Sequence, residues 1–126
     1  MWPLISLMVV LSDQISKILV SAYFPQYITS NQGISFGLLP SPLWLIINLL
    51  VIAVFIFMVK KRYSTGFIVG GGISNVLDRI FRGKVIDFID FDLLWGTETL
   101  SGGGLPVFNL ADACIVFGVI LFILDF

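Results

Sequence analysis

Four long apolar runs constrain the fold of this chain more than any other feature of its sequence. They extend over residues 2–24, 43–59, 66–81 and 108–126. A helix needs about 20 apolar residues to cross the hydrocarbon core of a bilayer, with about 17 as the lower limit. Hydrophobic residues make up 58% of the chain and charged residues only 12%. The sequence therefore predicts an all-α membrane protein with four transmembrane helices, forming a single domain over residues 1–126.

The distribution of basic residues predicts how these helices are oriented. Lys60, Lys61 and Arg62 follow the second run directly, and basic loops stay on the cytoplasmic side of a membrane. Both termini are then expected inside, with residues 25–42 and 82–107 outside.

The outer segments have the composition of β-strands. Residues 27–29 and 84–91 are rich in β-branched and aromatic side chains, which favour strands. We therefore expect a small extracytoplasmic β-strand region beside the four helices. Residues 63–66, Tyr-Ser-Thr-Gly, are expected to form a tight turn on the cytoplasmic side.

Four acidic residues lie within or close to the apolar runs. Asp13 is inside the first run, Asp78 is at the end of the third, and Asp112 is at the start of the fourth, while Asp87 follows the third run in a strand-like stretch. An Asp at the centre of a membrane helix costs roughly 2.5–3.5 kcal/mol unless it is paired or faces a polar cavity. These residues are therefore candidates for function, because two carboxyls brought together can share a proton and carry out acid–base chemistry.

The first of these acids has a basic neighbour at helical spacing. Asp13 and Lys17 are four residues apart and share one helix face, so they are expected to form a neutralising ion pair. The alternative is a Ser–Lys catalytic pair that uses Ser12 or Ser16. This alternative is disfavoured because Asp13 would compete for Lys17.

Two further polar groups follow helical spacing. Asn75, Asp78 and Arg79 share a face at the end of the third run, and Arg79 is the expected partner of Asp78, which gives Asp78 a structural role. Asn109 and Asp112 are three residues apart at the start of the fourth run. Capping of the helix N-terminus explains Asn109 well and Asp112 less well.

Several classes of function are excluded by composition. The chain has no histidine and one cysteine, Cys114, which excludes a Ser-His-Asp triad, a Cys-His pair, a histidine zinc site and an internal disulfide. The net charge is −1 and the longest basic block is residues 60–62, so nucleic-acid binding has no support. No metal or organic cofactor is implied.

Five short segments resemble the sequence boxes of the lipoprotein signal peptidases (signal peptidase II), and they occur in the family's order. They are residues 13–17, 31–37, 70–79, 83–88 and 108–112. The resemblance implies a four-helix bacterial inner-membrane aspartyl endopeptidase. Such an enzyme removes the signal peptide from diacylglyceryl-modified prolipoproteins and cuts just before the lipidated cysteine.

The resemblance also implies roles for individual residues. Asp87 and Asp112 would form the catalytic pair. The other residues would bind substrate or support the site, the last three of them structurally: Asn31, Asn75, Arg79, Asn109, Asp13, Lys17 and Asp78. The partners would be lipidated prolipoproteins and membrane lipid, with the active site toward the extracytoplasmic side. The connection over residues 92–107 is longer than usual for the family.

A different class of function uses the same acidic residues. A small proton-coupled membrane carrier could employ buried carboxyls as a proton relay. The acids of this chain, however, are expected near one face of the membrane rather than along a path through it. The carrier is therefore the second interpretation.

Overall fold

The computed structural model describes residues 1–31, 41–59, 62–90 and 107–126, and for Ser30, Asn31 and Ser41 it describes the backbone alone. These ranges contain four α-helices, which are α1 (Trp2–Tyr23), α2 (Ser41–Met58), α3 (Tyr63–Arg82) and α4 (Leu110–Ile123). They also contain a single 3-10 turn at Pro25–Tyr27 and the strands β1 (Thr29–Asn31) and β2 (Val85–Asp87).

The two strands form a small antiparallel sheet. Thr29 lies opposite Asp87 and Asn31 lies opposite Val85. Beyond β2, a single bridge joins Ile89 to Phe108. Within the described residues 84–90, the structure therefore has a three-residue strand and one isolated bridge rather than a continuous strand. The pairings place the end of β2 beside the start of α4.

Helix α3 is the central helix and packs against the other three. Glycines allow this close approach. A Cβ atom at Gly70 would lie 2.8 Å from the Cβ of Val9 on α1, and one at Gly71 would lie 2.5 Å from the backbone oxygen of Ala111 on α4. Any side chain at these positions would push the neighbouring helices away.

The expected tight turn at residues 63–66 is wrong, because α3 already begins at Tyr63. The first N–H groups of a helix lack partners within it. Here the backbone oxygen of Phe126 accepts from the N–H groups of Tyr63 and Ser64, at 2.9 and 3.5 Å. This contact joins the start of α3 to a residue far away in the sequence, so the local turn composition could not reveal it.

On α1, charged side chains are buried and large apolar side chains are exposed, which is the opposite of the pattern in a soluble protein. Asp13 and Lys17 are fully buried, whereas Leu4, Leu7 and Met8 on the same helix are more than half exposed. Charged side chains are almost never fully buried unless they are paired. Among the helices that the structure describes, α1 alone is long and apolar enough to cross a membrane unaided; α2 and α4 are apolar but shorter in their apolar parts.

Residues from all four helices meet at one end of the bundle, which we call the site end. Lys17 of α1 lies 2.7 Å from Asp78 of α3, and Asn75 of α3 lies 2.9 Å from Asp112 of α4. Trp44, near the start of α2, lies against Arg79 of α3. The sheet joins the same end, since β2 follows α3 directly.

Candidate active site

Asn109 connects the carboxyl groups of Asp87 and Asp112 at the site end. Its Nδ2 donates to Asp87 Oδ1 at 2.9 Å. Its Oδ1 accepts from the backbone N–H of Asp112 at 2.9 Å, and Asp112 Oδ2 accepts in return from the backbone N–H of Asn109 at 3.4 Å. The expected capping role of Asn109 is thus confirmed, and Asp112 completes the capping box.

Asn75 forms a second connection between the two acids. Its Nδ2 donates to Asp112 Oδ1 at 2.9 Å, while its Oδ1 accepts from Asn109 Nδ2 at 3.1 Å. Asp87 and Asp112 therefore each accept an amide N–H on Oδ1, and Asp112 also accepts the backbone N–H of Asn109 on Oδ2.

The environment of Asp87 favours its protonated form. Burial raises the pKa of Asp87 to about 7, and the negative charge of Asp112 acts in the same direction. The charges of Lys17 and Arg79 and the hydrogen bond from Asn109 lower this pKa, but they do not cancel the effect of burial. Asp87 can therefore hold a proton close to neutral pH, which an ordinary exposed Asp cannot do.

The ion-pair partners of Asp78 differ from the expected one, which was Arg79. The carboxylate of Asp78 forms ion pairs with Lys17 at 2.7 Å and with Arg82 at 2.6 Å. Consecutive residues of a helix do not face each other, whereas residues four apart do. Asp78 also accepts from the backbone N–H of Ile86 at 3.3 Å, so it links α3 to β2.

Arg79 instead faces the two candidate catalytic acids. Arg79 lines the same cavity as Asp87 and Asp112, and both carboxylates, like Asp78, are close enough to attract it. Its guanidinium carbon lies 5.9 Å from the ring centroid of Trp44, within the range of a cation–π contact. Arg79 therefore places a permanent positive charge beside the carboxyl pair.

The expected ion pair between Asp13 and Lys17 is present, with Nζ 2.5 Å from Asp13 Oδ2. Asp13 Oδ1 accepts from the backbone N–H of Ala111 at 2.8 Å, which fixes the first turn of α4. The alternative Ser–Lys pair gains no support, because Ser16 Oγ donates to the backbone oxygen of Asp13 and Ser12 is exposed.

Three residues of this polar cluster were not predicted from the sequence. Arg82 lies four residues after Asp78, so the helical spacing rule could have identified it. Gln14 donates to Asp78 Oδ1 at 2.9 Å, and its position beside Asp13 was a weaker signal. Ser74 donates to Asp13 Oδ2 at 2.6 Å, a contact between helices that local spacing does not indicate.

Part of the predicted site lies outside the described residues. The backbone of Asn31 pairs with Val85 in the sheet, but its side chain is not among those described. Residues 32–37, which complete the second box, and residues 91–106, which include most of the long connection, also lie outside the described ranges.

A cavity of about 740 Å³ opens between α2, α3 and α4. Most of its lining is apolar, and its polar lining residues are Asn48, Asn75, Arg79, Asp87 and Asp112. The rings of Phe55 on α2 and Phe122 on α4 pack edge to face with centroids 5.6 Å apart. The cavity can therefore accept an apolar segment with one polar end beside the two carboxyls.

A family model and curated relatives of this chain point to the same protein family. A family model described as signal peptidase (SPase) II matches residues 5–126. The lipoprotein signal peptidase of Syntrophomonas wolfei is 39% identical in an alignment 140 positions long with its gaps, which covers 94% of this chain and 87% of the relative. That of Burkholderia multivorans is 34% identical in an alignment 149 positions long with its gaps, which covers 98% of this chain and 86% of the relative.

Two solved structures of a bacterial membrane enzyme have the same fold. They give TM-scores of 0.77 and 0.76 at 24% identity, and the alignments cover 98% of this chain and 85% and 90% of theirs. The family model and the curated relatives carry the assignment: this chain belongs to the signal peptidase II family, the lipoprotein signal peptidases, which remove signal peptides from prolipoproteins.

Proposed function

We propose that this signal peptidase is an aspartic endopeptidase in which Asp87 and Asp112 form the catalytic pair. The observation that carries the assignment is their shared position. Both line the same apolar cavity, and Asn109 contacts both of them. Paired carboxyls in an enclosed site are suited to hydrolysis because they titrate as a unit and can share one proton.

The reaction needs one ionised and one protonated carboxyl. The ionised group accepts a proton from water as the water oxygen attacks the scissile carbonyl carbon, and the protonated group donates to the carbonyl oxygen. When the tetrahedral intermediate collapses, one of its hydroxyl groups returns a proton to the carboxylate that had donated to the carbonyl oxygen. The C–N bond breaks, and the leaving nitrogen receives the proton that the other acid had taken from water. Water is consumed, and the acids return to their starting states.

The surroundings support a division of these roles. Asp87, with a pKa of about 7, is the proton donor. Because the pair shares one proton and Asp87 holds it, Asp112 is the ionised base. Hydrogen bonds from Asn75 and from the backbone of Asn109 stabilise its charge. Arg79 supports the ionised state of Asp112 and can stabilise the negative charge that develops on the carbonyl oxygen.

We also propose that the chain is one domain whose four helices all span the bacterial inner membrane. The exposed apolar faces of α1, α2 and α4 support this proposal, since a soluble protein rarely exposes so much contiguous apolar surface. Helix α3 is too polar to span alone, but its polar side chains face the other helices. The loop charges favour an active site on the extracytoplasmic side.

The substrate that fits this site is a diacylglyceryl-modified prolipoprotein, cut just before its lipidated cysteine. The apolar cavity suits a hydrophobic signal segment or acyl chains, and the carboxyl pair at its polar end suits the peptide bond that follows. Membrane lipid is the second expected partner. The mechanism requires no cofactor, and the net charge of −1 gives no basis for nucleic-acid binding. The proton-coupled carrier receives no support from the family match.

Cleavage of a lipidated precursor tests the proposal. The purified protein in detergent should convert a diacylglyceryl prolipoprotein to a shorter band and leave the unmodified precursor uncut. Asp87→Asn and Asp112→Asn should each lose cleavage. Asp125→Asn is the matched control, because Asp125 pairs with Arg62 on the exposed surface and should keep activity. Near-normal cleavage by either site variant would contradict the aspartic mechanism.

A further inference from the structure

Lys17 is a fully buried charge that the proposed reaction does not use. Its Nζ lies 2.5 Å from Asp13 and 2.7 Å from Asp78, and all three side chains are 0% exposed. A single carboxylate would suffice to neutralise the charge. The third contact of Lys17 is with an uncharged group, Asn75 Oδ1 at 3.4 Å. Through this contact the ion-pair cluster meets the residues that hold the two catalytic carboxyls.

The direction of the Asn75 amide depends on this contact. An ammonium group can only donate hydrogen bonds, so Lys17 requires the oxygen of Asn75 to face it. Asn109 Nδ2 donates to the same oxygen at 3.1 Å. The NH₂ group of Asn75 is thereby turned toward Asp112. A reversed amide would place its oxygen against the carboxylate of Asp112 and its NH₂ against Lys17.

We propose that Lys17 is a positioning residue, whose ammonium group holds the Asn75 amide in the one orientation that donates to the carboxylate of Asp112. This inference rests on the proposed aspartic mechanism and adds a residue to it. Lys17 acts through Asn75, because Lys17 itself is fully buried and does not line the cavity.

Lys17 also acts on the pair through its charge. It lowers the pKa of Asp87, against burial and Asp112, which raise it. Loss of the Lys17 charge therefore raises the pKa of Asp87 further, so Asp87 keeps its proton to a higher pH. Described charged groups face Lys17 or Asp87 from three helices: Asp13 from α1, Asp78 and Arg79 from α3, and Asp112 from α4.

The variant Lys17→Met tests the proposal, since it keeps the length of the side chain and removes its charge and donors. Steady-state cleavage should show kcat reduced at least about tenfold with KM within about twofold, and the alkaline limb of the pH profile moved up by about one unit. Lys84→Met is the matched control. It makes the same change at an exposed lysine, so it should retain the wild-type kcat and pH profile.

A double-mutant cycle separates positioning from general support of the fold. If Lys17 acts through Asn75, then Lys17→Met should add little to the loss caused by Asn75→Ala. Additive losses in the cycle would overturn the proposal, as would a wild-type kcat and pH profile for Lys17→Met. If Lys17→Met does not fold, the charge-balanced variant Asp13→Asn with Lys17→Met replaces it and must show the same loss and shift.

The outcomes also distinguish this inference from the proposed function. If Asp87→Asn and Asp112→Asn are inactive while Lys17→Met behaves as wild type, only the role of Lys17 is wrong. If either aspartate variant cleaves normally, the aspartic mechanism is wrong and the positioning role of Lys17 is wrong with it.

Discussion

At the scale of single residues, the two candidate catalytic carboxyls are held by amides. Asn109 donates to Asp87, and Asn75 donates to Asp112. An amide is neutral, so it orients a carboxyl without forcing it to stay ionised. An Arg in direct contact would keep the carboxyl ionised. The nearby cations Lys17 and Arg82 are bound to Asp78, whereas Arg79 lies beside the pair. The positive charge of Arg79 can stabilise one ionised acid while the other remains protonated.

The raised pKa of Asp87 predicts how cleavage depends on pH. If Asp87 is the proton donor, activity requires its protonated form, and this form is lost as pH rises through about 7. We expect the single-turnover rate to fall roughly tenfold per pH unit above that value. Single-turnover rates measured between about pH 6 and pH 9 check this expected decline. A rate that is flat or rising over the same range would show that Asp87 does not donate the proton.

At the scale of elements, α3 organises the site because it carries polar groups on several faces and is covered by its neighbours. Asn75 faces α4, whereas Asp78 meets Lys17 of α1. Small residues make this burial possible, since Gly70 and Gly71 bring α1 and α4 close. The distance between α3 and α4 therefore sets the geometry between Asn75 and Asp112.

Substitution of Gly71 should separate these two helices. In Gly71→Ala the new Cβ would lie 2.5 Å from the backbone oxygen of Ala111, which cannot move without the first turn of α4. We expect a lower melting temperature and at least about a tenfold loss of cleavage, because small misplacements of catalytic groups are costly.

Gly72→Ala is the matched control for Gly71→Ala. Its Cβ would meet the side chain of Ile52 at 3.0 Å, and a side chain can shift more easily than a backbone. Melting curves and cleavage rates of both variants check the comparison. Equal effects in the two variants would show that the spacing between α3 and α4 is not what matters.

The sequence predicted only part of this arrangement. Contacts between residues close in sequence could be predicted, and contacts between residues far apart in sequence could not. The Asp13–Lys17 pair and the Asn109 cap are local in sequence, so spacing rules identified them. The contacts of Asp78 with Lys17 and of Asn75 with Asp112 join different helices, and periodicity on one helix cannot indicate them. The start of α3 at Tyr63 depends on the backbone of Phe126, so the local residues favoured a turn.

At the scale of the whole molecule, the described residues include a buried charged cluster at one end and exposed apolar side chains around the helices. Asp13, Lys17 and Asp78 are at most 1% exposed, whereas Phe57 and Ile123 are more than two-thirds exposed. A lipid environment accounts for both features, because apolar surfaces need no covering there and polar groups must find partners within the protein.

The proposed orientation predicts which segments a membrane-impermeant thiol reagent can reach. After Cys114→Ser removes the native thiol, single cysteines at Ser30 and Ser101 should react in intact cells. A cysteine at Arg62 should react only after the membrane is opened. The reverse pattern would place the carboxyl pair on the cytoplasmic side and contradict the proposed location of the active site.

The central claim is that Asp87 and Asp112 act as one catalytic unit, and the rates of their single and double Asn variants test it most directly. An amide keeps the shape of the carboxyl but cannot exchange a proton, and one acid–base group contributes roughly 10²–10⁴-fold. Groups that act as a unit are not additive. We predict that each single variant loses cleavage on that scale and that the double variant is little slower. Near-normal turnover in either single variant would contradict the claim that the two acids act as one unit. Fully multiplicative losses in the double variant would contradict it as well.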